Sequence, residues 1–300
     1  MNVRDKTCII TGSAQGIGKA IATKLLENGA KVCISDINEN VANETVTELR
    51  NRFGDQTVHM VTCDVTKQEQ FLQLFNEAEK FFKVNCIDIL VNNAGVIDSV
   101  GWKKCMDVNI MGVMIGGDIA FERMSQSPTK GTIVNVSSAA GLFTGNHEMK
   151  GYSVSKHGVV TYTRALAADF LEHGVGMKAI CPLWVDTEMA STVVERASKK
   201  LATHMKKSIE KTGGLLSPCD IANSVFKLLT ECESGTVMFS SKNTPCIIIP
   251  DIENTLMILL TIMAKFVGFF TGKTLFTVQD QKMIVVIFIL FLLFAVVLVF

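Results

Sequence analysis

The first 180 residues alternate between short apolar runs and longer stretches in which apolar positions recur at helical spacing. Runs of strand length fall at 7–10, 31–35, 57–62, 87–92, 132–136 and 177–181. Helices are predicted at 17–28, 41–53, 68–83, 106–124 and 152–173. This alternation is typical of βαβ units, whose parallel strands are buried on both faces. With a further short strand at 237–240, the pattern predicts one doubly wound α/β domain over residues 1–250, built on about seven parallel strands.

The strongest change in composition comes near the C-terminus. Residues 283–300 carry no charged or polar side chain and would measure about 27 Å as a helix, close to the hydrocarbon thickness of a bilayer. We expect a C-terminal transmembrane helix that anchors a cytosol-facing protein, with the endoplasmic reticulum as the predicted membrane. Residues 251–282 are expected to be an amphipathic or interfacial connector, because Lys265 interrupts the apolar run at 256–270. The alternatives are a core helix in a cytoplasmic protein and a two-segment membrane hairpin.

The charge balance and the cysteines exclude two classes of function. Lys plus Arg and Asp plus Glu both number 29, so no basic excess favours binding to nucleic acid. The nine cysteines form no Cys-x-x-Cys pair, and the five histidines do not cluster with them as metal ligands. We therefore expect no metal site, and mostly buried free thiols in a reducing cytosol.

A glycine-rich turn lies between the first predicted strand and the first predicted helix. Its sequence at 11–18 is TGSAQGIG, in which glycines let the backbone approach a pyrophosphate at a helix N-terminus. Together with the parallel sheet, this turn indicates a Rossmann domain. The predicted contacts of a dinucleotide here are Gly12, Ser13, Gln15, Gly16, Ile17 and Gly18. The structural alternative is a tight turn that binds nothing.

Asp36 indicates which dinucleotide is bound. It ends the second predicted strand 18 residues after Gly18, where a carboxylate accepts hydrogen bonds from the adenosine ribose and repels a 2′-phosphate. Ile37, also a predicted contact, adds no cation. The pattern favours NAD over NADP, although Asp36 could instead simply start a loop.

Tyr152 and Lys156 are four residues apart in a predicted helix, so their side chains share one face. A tyrosine has an ordinary pKa of about 10, but a neighbouring ammonium and a cationic nicotinamide both favour the phenolate. The pair therefore predicts a general base, with Lys156 lowering the pKa of Tyr152. The same spacing is also frequent on solvated helices.

Six motifs occur in order along the predicted domain. They are the glycine turn, Asp64-Val65, Asn92 to Gly95, Asn109, Ser137-Ser138, and Tyr152 with Lys156. This order resembles the short-chain dehydrogenase/reductase family. Within that family the chain is most similar to NAD-dependent 15-hydroxyprostaglandin dehydrogenases.

The resemblance implies a role for each matching residue. Ser138 would hydrogen-bond the substrate oxygen, and Tyr152 would exchange its proton. Lys156 would lower the pKa of that tyrosine and bind the cofactor ribose, and Asn109 would hold a relay water. The further implied contacts of NAD are Asp64, Val65, Asn92, Ala94, Gly95, Val185 and Thr187, together with Tyr152 and Lys156. A homodimer or homotetramer is also implied.

Three features depart from the family pattern. Ser138 precedes Tyr152 by 14 residues, one more than is common, so the loop between them carries an extra residue. Leu183 stands where the family has a glycine after proline. Glu148 and Met149 stand where prostaglandin dehydrogenases carry glutamines. The longer loop lies beside the expected substrate, so the shape of the substrate is expected to differ. Leu183 lies near the expected nicotinamide, so a weaker grip on the cofactor is expected, and the missing glutamines argue against a prostaglandin substrate.

The sequence therefore predicts an NAD-dependent enzyme that oxidises the secondary hydroxyl of a lipid-like small molecule by hydride transfer to NAD. A lipid-like substrate is expected because an apolar tail would place the entrance of the site against a bilayer. One alternative is a carbonyl reductase of the same family working in the reverse direction. The other is a catalytically weak NAD-binding membrane scaffold or sensor.

Overall fold

The computed structural model describes residues 1–143 and 147–250. Its strands are β1 (Thr7–Thr11), β2 (Lys31–Asp36), β3 (Val58–Thr62), β4 (Ile89–Asn92), β5 (Gly131–Val136), β6 (Val175–Pro182), β7 (Val237–Ser240) and β8 (Ile247–Ile249). They form one sheet in the order β3-β2-β1-β4-β5-β6-β7-β8. The first seven are parallel, and β8 pairs antiparallel with β7.

Helices connect the strands and cover the sheet. They are α1 (Gly16–Glu27), α2 (Glu39–Phe53), α3 (Gln68–Phe82), α4 (Trp102–Met106), α5 (Gly112–Gln126), α6 (Lys150–Glu172), α7 (Glu188–Arg196), α8 (Lys199–Lys211) and α9 (Pro218–Glu231). Shorter turns are the 3-10 segments Asp98–Val100, Ala139–Gly141 and His147–Met149 and the π-helical turn Asp107–Met111. All of these elements belong to Met1–Ile249, which forms one compact unit.

Neighbouring residues of the central strands pack on opposite faces of the sheet. On β1, Ile10 packs with apolar residues of α1, α2 and α9, whereas Ile9 packs with those of α3, α5 and α6. β1, β4 and β5 are buried at every position, so apolar residues follow one another directly along them instead of alternating with exposed polar ones. This two-sided packing brings the carboxyl ends of the parallel strands to one edge, where ligands of such folds bind.

The predicted fold class needs two corrections. The sheet has eight strands, one more than the predicted seven or so parallel ones, because Ile247–Ile249 adds an antiparallel edge strand to β7. The strand is three residues long and only partly covered, so its sequence carries no alternating signal.

The second correction concerns the C-terminal transmembrane helix. Across residues 1–143 and 147–250, no helix is both long enough and apolar enough to cross a membrane. The helix predicted at 283–300 and the connector predicted at 251–282 lie outside the described residues. The structure therefore gives the predicted membrane span no support.

Candidate active site

Two adjoining cavities open at the carboxyl ends of the parallel strands. The glycine-turn cavity, of about 580 Å³, is lined by the segments that follow β1, β2, β3 and β4. The apolar cavity, of about 750 Å³, is lined mainly by the loop after β6 and by α7 and α8. Both cavities are lined by Ile17, Ser137, Tyr152, Thr187 and Met189. Tyr152 therefore stands at the boundary between the two.

The turn between β1 and α1 depends on glycine at three positions. Gly12 and Gly16 have φ of +61° and +57°, in the left-handed region that favours glycine. A Cβ on Gly12 would also lie 2.7 Å from Cα of Ala94, and one on Gly18 would overlap the carbonyl oxygen of Gly12. The N-cap residue of α1, Gln15, accepts no capping hydrogen bond with its side chain. The first N–H groups of α1 are thus left for an anion, which fits the diphosphate of a dinucleotide.

Asn93 fixes the glycine turn from the end of β4. Its Nδ2 donates to the carbonyl oxygens of Thr11 and Gly12 at 2.9 and 2.8 Å. In return, Oγ1 of Thr11 accepts from the backbone N–H groups of Asn93 and Ala94, each at 3.1 Å. Asn93 lines the glycine-turn cavity but is missing from the predicted cofactor contacts. Its place directly after a buried strand was the signal that could have identified it.

Asp36 lines the same cavity at the end of β2. Its carboxylate accepts from the backbone N–H groups of Ala14 and Asn38, each at 3.1 Å. Within the described residues Asp36 forms no ion pair, and Lys19 is paired with Glu48 at 2.6 Å. A fixed carboxylate without a neighbouring cation fits a ribose with free hydroxyls and repels a 2′-phosphate.

Most of the predicted cofactor contacts line the glycine-turn cavity. Those that do are Gly12, Gln15, Gly16, Ile17, Asp36, Ile37, Asp64, Val65, Ala94, Gly95, Tyr152, Lys156 and Thr187. Ser13, Gly18 and Asn92 are not among its lining residues, and Val185 lines the apolar cavity. Oγ of Ser13 donates to a carbonyl oxygen of β1 at 2.6 Å, and Nδ2 of Asn92 donates to Oδ1 of Asn135 at 3.0 Å. Both side chains therefore support the walls of the cavity from behind.

Asn109 lies in the π-helical turn Asp107–Met111, which interrupts the single helix predicted over 106–124. Such turns are rare in proteins, and those that occur are often found at functional sites. The side chain is fully buried; its Oδ1 accepts from the Val96 N–H, and its Nδ2 donates to the Val96 carbonyl oxygen, both at 2.8 Å. Nδ2 also donates to Oγ of Ser155 at 3.1 Å. Asn109 therefore holds the loop after β4 against α6.

Lys156 is buried beside Tyr152 near the start of α6. Its Nζ donates to the carbonyl oxygen of Val136 at 2.8 Å and lies 5.8 Å from the centroid of the Tyr152 ring. The lysine is only 3% exposed, and burial lowers its pKa to about 8. A Cβ on Gly95 would lie 3.5 Å from this Nζ and 3.4 Å from Oδ1 of Asn109. The absence of a side chain at Gly95 thus leaves a gap between the amide and the ammonium.

Burial raises the pKa of Tyr152, and a hydrogen bond with Ser138 works against that rise. Oγ of Ser138 also accepts from the backbone N–H of Ala140 at 3.1 Å, which orients the hydroxyl. Desolvation is therefore the largest effect on the pKa of Tyr152, and it raises that pKa, whereas Lys156 was predicted to lower it. A phenolate here depends on the polar and charged groups that the site collects around it.

The positions that depart from the family pattern lie in the walls of the apolar cavity. The Leu183 N–H donates to the carbonyl oxygen at the end of β7 at 2.9 Å. Next to it, Nε1 of Trp184 donates to Oγ of Ser208 at 3.0 Å, which ties α8 to the end of β6. The Glu148 carboxylate accepts from the N–H and the hydroxyl of Ser198 at 3.0 and 2.7 Å. The turn before α6 is therefore joined to the start of α8.

The cysteines give the site no reactive thiol. All nine are free, and five are buried. Burial raises the pKa of Cys105 and of Cys181, near Lys156, to about 12 in each case, so both thiols stay protonated at neutral pH. In the part of the chain that the structure describes, no group of three His, Cys, Asp or Glu side chains could hold a metal ion.

Known proteins share both the sequence pattern and the fold. Residues 6–198 match the short chain dehydrogenase family. The chain is 35% identical over 246 residues to 15-hydroxyprostaglandin dehydrogenase (NAD(+)) of Mus musculus, covering 79% of this chain and 90% of that protein. The Homo sapiens protein of the same name is 36% identical over 247 residues, with 79% and 91% covered.

A solved structure, that of levodione reductase, matches with a TM-score of 0.73 over 81% of this chain and 98% of that chain. Its sequence identity of 23% makes this a likeness of fold alone. The family match and the relatives confirm the resemblance that the motifs predicted, and the chain belongs to the short chain dehydrogenase family.

Proposed function

We propose that this chain is an NAD-dependent dehydrogenase that oxidises the secondary hydroxyl of a lipid-like small molecule. The observation that carries the proposal is the position of Tyr152, which lines both the glycine-turn cavity and the apolar cavity. A base at that boundary can reach a hydroxyl in one cavity while a dinucleotide occupies the other. The relatives named 15-hydroxyprostaglandin dehydrogenase (NAD(+)) support the same reaction.

NAD, when bound, supplies the acceptor for the two electrons that leave the substrate carbon. The chain would supply the binding: the N–H groups at the start of α1 would hold the diphosphate, and the Asp36 carboxylate would accept hydrogen bonds from the ribose hydroxyls. Gly12 and Gly16 keep the turn open to the ligand, because neither position tolerates a side chain without strain.

The proton of the substrate hydroxyl passes to Tyr152 in this proposal. Ser138, which is hydrogen-bonded to that tyrosine, holds the substrate oxygen and stabilises the charge that develops on it. Because burial raises the pKa of Tyr152, its phenolate needs the nearby ammonium of Lys156. Asn109 holds the loop after β4, and the gap at Gly95 leaves room for a relay water between the amide and the ammonium.

The apolar cavity supports a lipid-like substrate. Its apolar lining residues include Phe143, Met149, Leu183, Trp184, Met189, Val193, Leu201 and Met205. At about 750 Å³ the cavity is large enough for a molecule of drug size. Apolar surface of a substrate that is buried against these walls would stabilise the complex. The implied homodimer or homotetramer stays a prediction, which sedimentation of the full chain would test.

Turnover by the full-length chain tests the proposal. NADH formation is followed with 2-octanol and with 2-propanol, and NADP is compared with NAD. We expect NAD-dependent oxidation of 2-octanol with a much lower KM than that of 2-propanol. Equal KM values for the two alcohols would refute the lipid-like substrate, and absence of turnover with bound NAD would refute the dehydrogenase.

The two tyrosines of the chain provide matched variants. Tyr152→Phe should abolish turnover while NAD still binds. Tyr162→Phe removes the same hydroxyl at a distant position, where it donates to Asp118 at 3.0 Å, and should leave turnover in place.

A further inference from the structure

Asp98 holds the first turn of the helix that carries Tyr152. It lies in the 3-10 segment Asp98–Val100, in the loop after β4. Its Oδ2 accepts from the Gly151 N–H at 2.9 Å, and its Oδ1 accepts from the Tyr152 N–H at 2.8 Å. The N-cap residue of α6, Met149, makes no capping hydrogen bond with its side chain. A carboxylate more than 50 residues away in sequence therefore caps this helix.

The contact depends on the glycine at 151. A Cβ on Gly151 would lie 2.7 Å from Oδ1 of Asp98 and 2.9 Å from Cβ of Trp102. Gly151 is buried, so a side chain added there would push the loop away from the helix. Loop and helix can approach to hydrogen-bonding distance only because this position has no side chain.

The other end of the same loop is fixed to the glycine-turn cavity. Gly95 lines that cavity, and both backbone groups of the next residue, Val96, are hydrogen-bonded by Asn109 at 2.8 Å. The segment from Gly95 to Asp98 is thus fixed at both ends: Gly95 lies beside the predicted cofactor, and Asp98 is hydrogen-bonded to the backbone of Tyr152. Its length fixes where the phenol stands relative to the dinucleotide.

We propose that Asp98 is a positioning residue for proton transfer: its carboxylate sets the first turn of α6, and with it the place of Tyr152 relative to the glycine-turn cavity. The proposal rests on the proposed function, in which Tyr152 is the base. A carboxylate at a helix N-terminus makes charge-assisted hydrogen bonds and is favoured by the helix dipole. A shift of about 1 Å in a reacting group can lower the rate on the order of 100-fold. Loosening the first turn of α6 is therefore expected to lower kcat.

The test compares Asp98→Ala and Asp98→Asn in the full-length chain. NAD affinity and stoichiometry are measured by calorimetry, and oxidation of 2-octanol is expressed as kcat per NAD-binding site. For Asp98→Ala we expect a loss of roughly 10- to 100-fold in kcat per site, with unchanged NAD affinity. Asp98→Asn should recover part of the loss, because its amide oxygen can still accept one of the two hydrogen bonds.

Asp55→Ala is the matched control. Asp55 is exposed and lies in the turn after α2, and this variant should behave as the wild type. If Asp98 were a structural cap only, its removal would lower the number of NAD-binding sites while kcat per site stayed constant. That result, or an unchanged kcat, would overturn the proposal.

Backbone amide exchange separates this proposal from the proposed function. In Asp98→Ala the amides of Gly151 and Tyr152 lose their acceptors and should exchange faster, while those of the sheet stay protected. If the wild type oxidised none of the alcohols, the proposed function would fail, and exchange would still decide the role of Asp98. Unchanged protection at both amides would then overturn it, and faster exchange confined to them would show that Asp98 sets the first turn of α6.

Discussion

Replacing Lys156 with methionine should stabilise the protein at neutral pH while it removes the activity. The folded state lowers the pKa of Lys156 from 10.5 to about 8 through burial. At about 1.4 kcal/mol for each pH unit, keeping this ammonium charged in the folded state costs roughly 3 kcal/mol at pH 7. Methionine has a similar volume and no charge, but leaves the Val136 carbonyl oxygen without its donor, which costs about 1 kcal/mol. The net expectation is a gain of about 2 kcal/mol, or roughly 4–8 °C in Tm for a unit of this size.

The pH dependence carries the sharper test of Lys156→Met. Between the folded pKa of about 8 and the unfolded value of 10.5, the unfolded chain binds the proton and the folded protein does not. The stability of the wild type relative to the variant therefore rises across this range, and the gain from methionine shrinks as the pH increases. Below pH 8 both states are protonated and the full gain persists.

Equilibrium unfolding in urea, followed by tryptophan fluorescence without NAD, measures these differences. The exposed Lys206→Met is the control and should change the stability by less than about 0.5 kcal/mol. A Lys156→Met variant that is less stable than the wild type at pH 7 would refute the reasoning. So would a gain that stays constant up to pH 10, because it would show that the gain is unrelated to the charge.

Three further predictions concern the walls of the two cavities. Asp36→Ala should weaken NAD binding by about 10- to 100-fold and reduce the preference for NAD over NADP. Calorimetry measures both affinities, and an unchanged ratio between them would contradict the role given to Asp36. Gly18→Ala should destabilise the fold by about 1–3 kcal/mol, because its Cβ meets the Gly12 carbonyl oxygen; a urea midpoint equal to that of the wild type would contradict this. Hydrogen bonds from Ser198 hold the pKa of Glu148 below its usual range, so this stabilisation is present above the unfolded pKa and is lost as the pH falls through the folded one. Glu148→Gln should therefore lower Tm at pH 7, and this loss should shrink as the pH falls below the ordinary pKa of a glutamate; a loss of Tm that does not change with pH would show that the negative charge of Glu148 is not involved.

The features that the sequence predicts well are those set by neighbouring residues. The buried strands can be recognised as apolar runs, because neighbouring residues such as Ile9 and Ile10 each pack into a core, one on either face of the sheet. The glycine turn is equally local, because the positive φ of Gly12 and Gly16 is a property of single residues. Asp36 follows from the position of a strand end.

The features that the sequence misses are set by contacts between distant segments. No local pattern shows that the Asp98 carboxylate reaches the Tyr152 amide, or that the helix around Asn109 contains a π-helical turn. The sequence also could not predict that the pKa of Tyr152 is raised. Spacing gives the distance between Tyr152 and Lys156 along a helix, but not how deeply the tyrosine is buried. The exposed strand β8 has too few buried positions to produce a periodic signal.

The place of β1 in the middle of the sheet has a consequence for how the protein is made. Asn93 closes the glycine turn from a position 81 residues beyond Gly12, so the turn acquires its final shape only after a long loop of chain has closed. Non-local pairings of this kind form slowly, and during synthesis they must wait for the second partner to leave the ribosome. A nascent chain that ends after β3 already contains the three glycines and Asp36, yet lacks the residue that holds the turn in place. Affinity for the dinucleotide is therefore expected to arise only once β4 has joined β1.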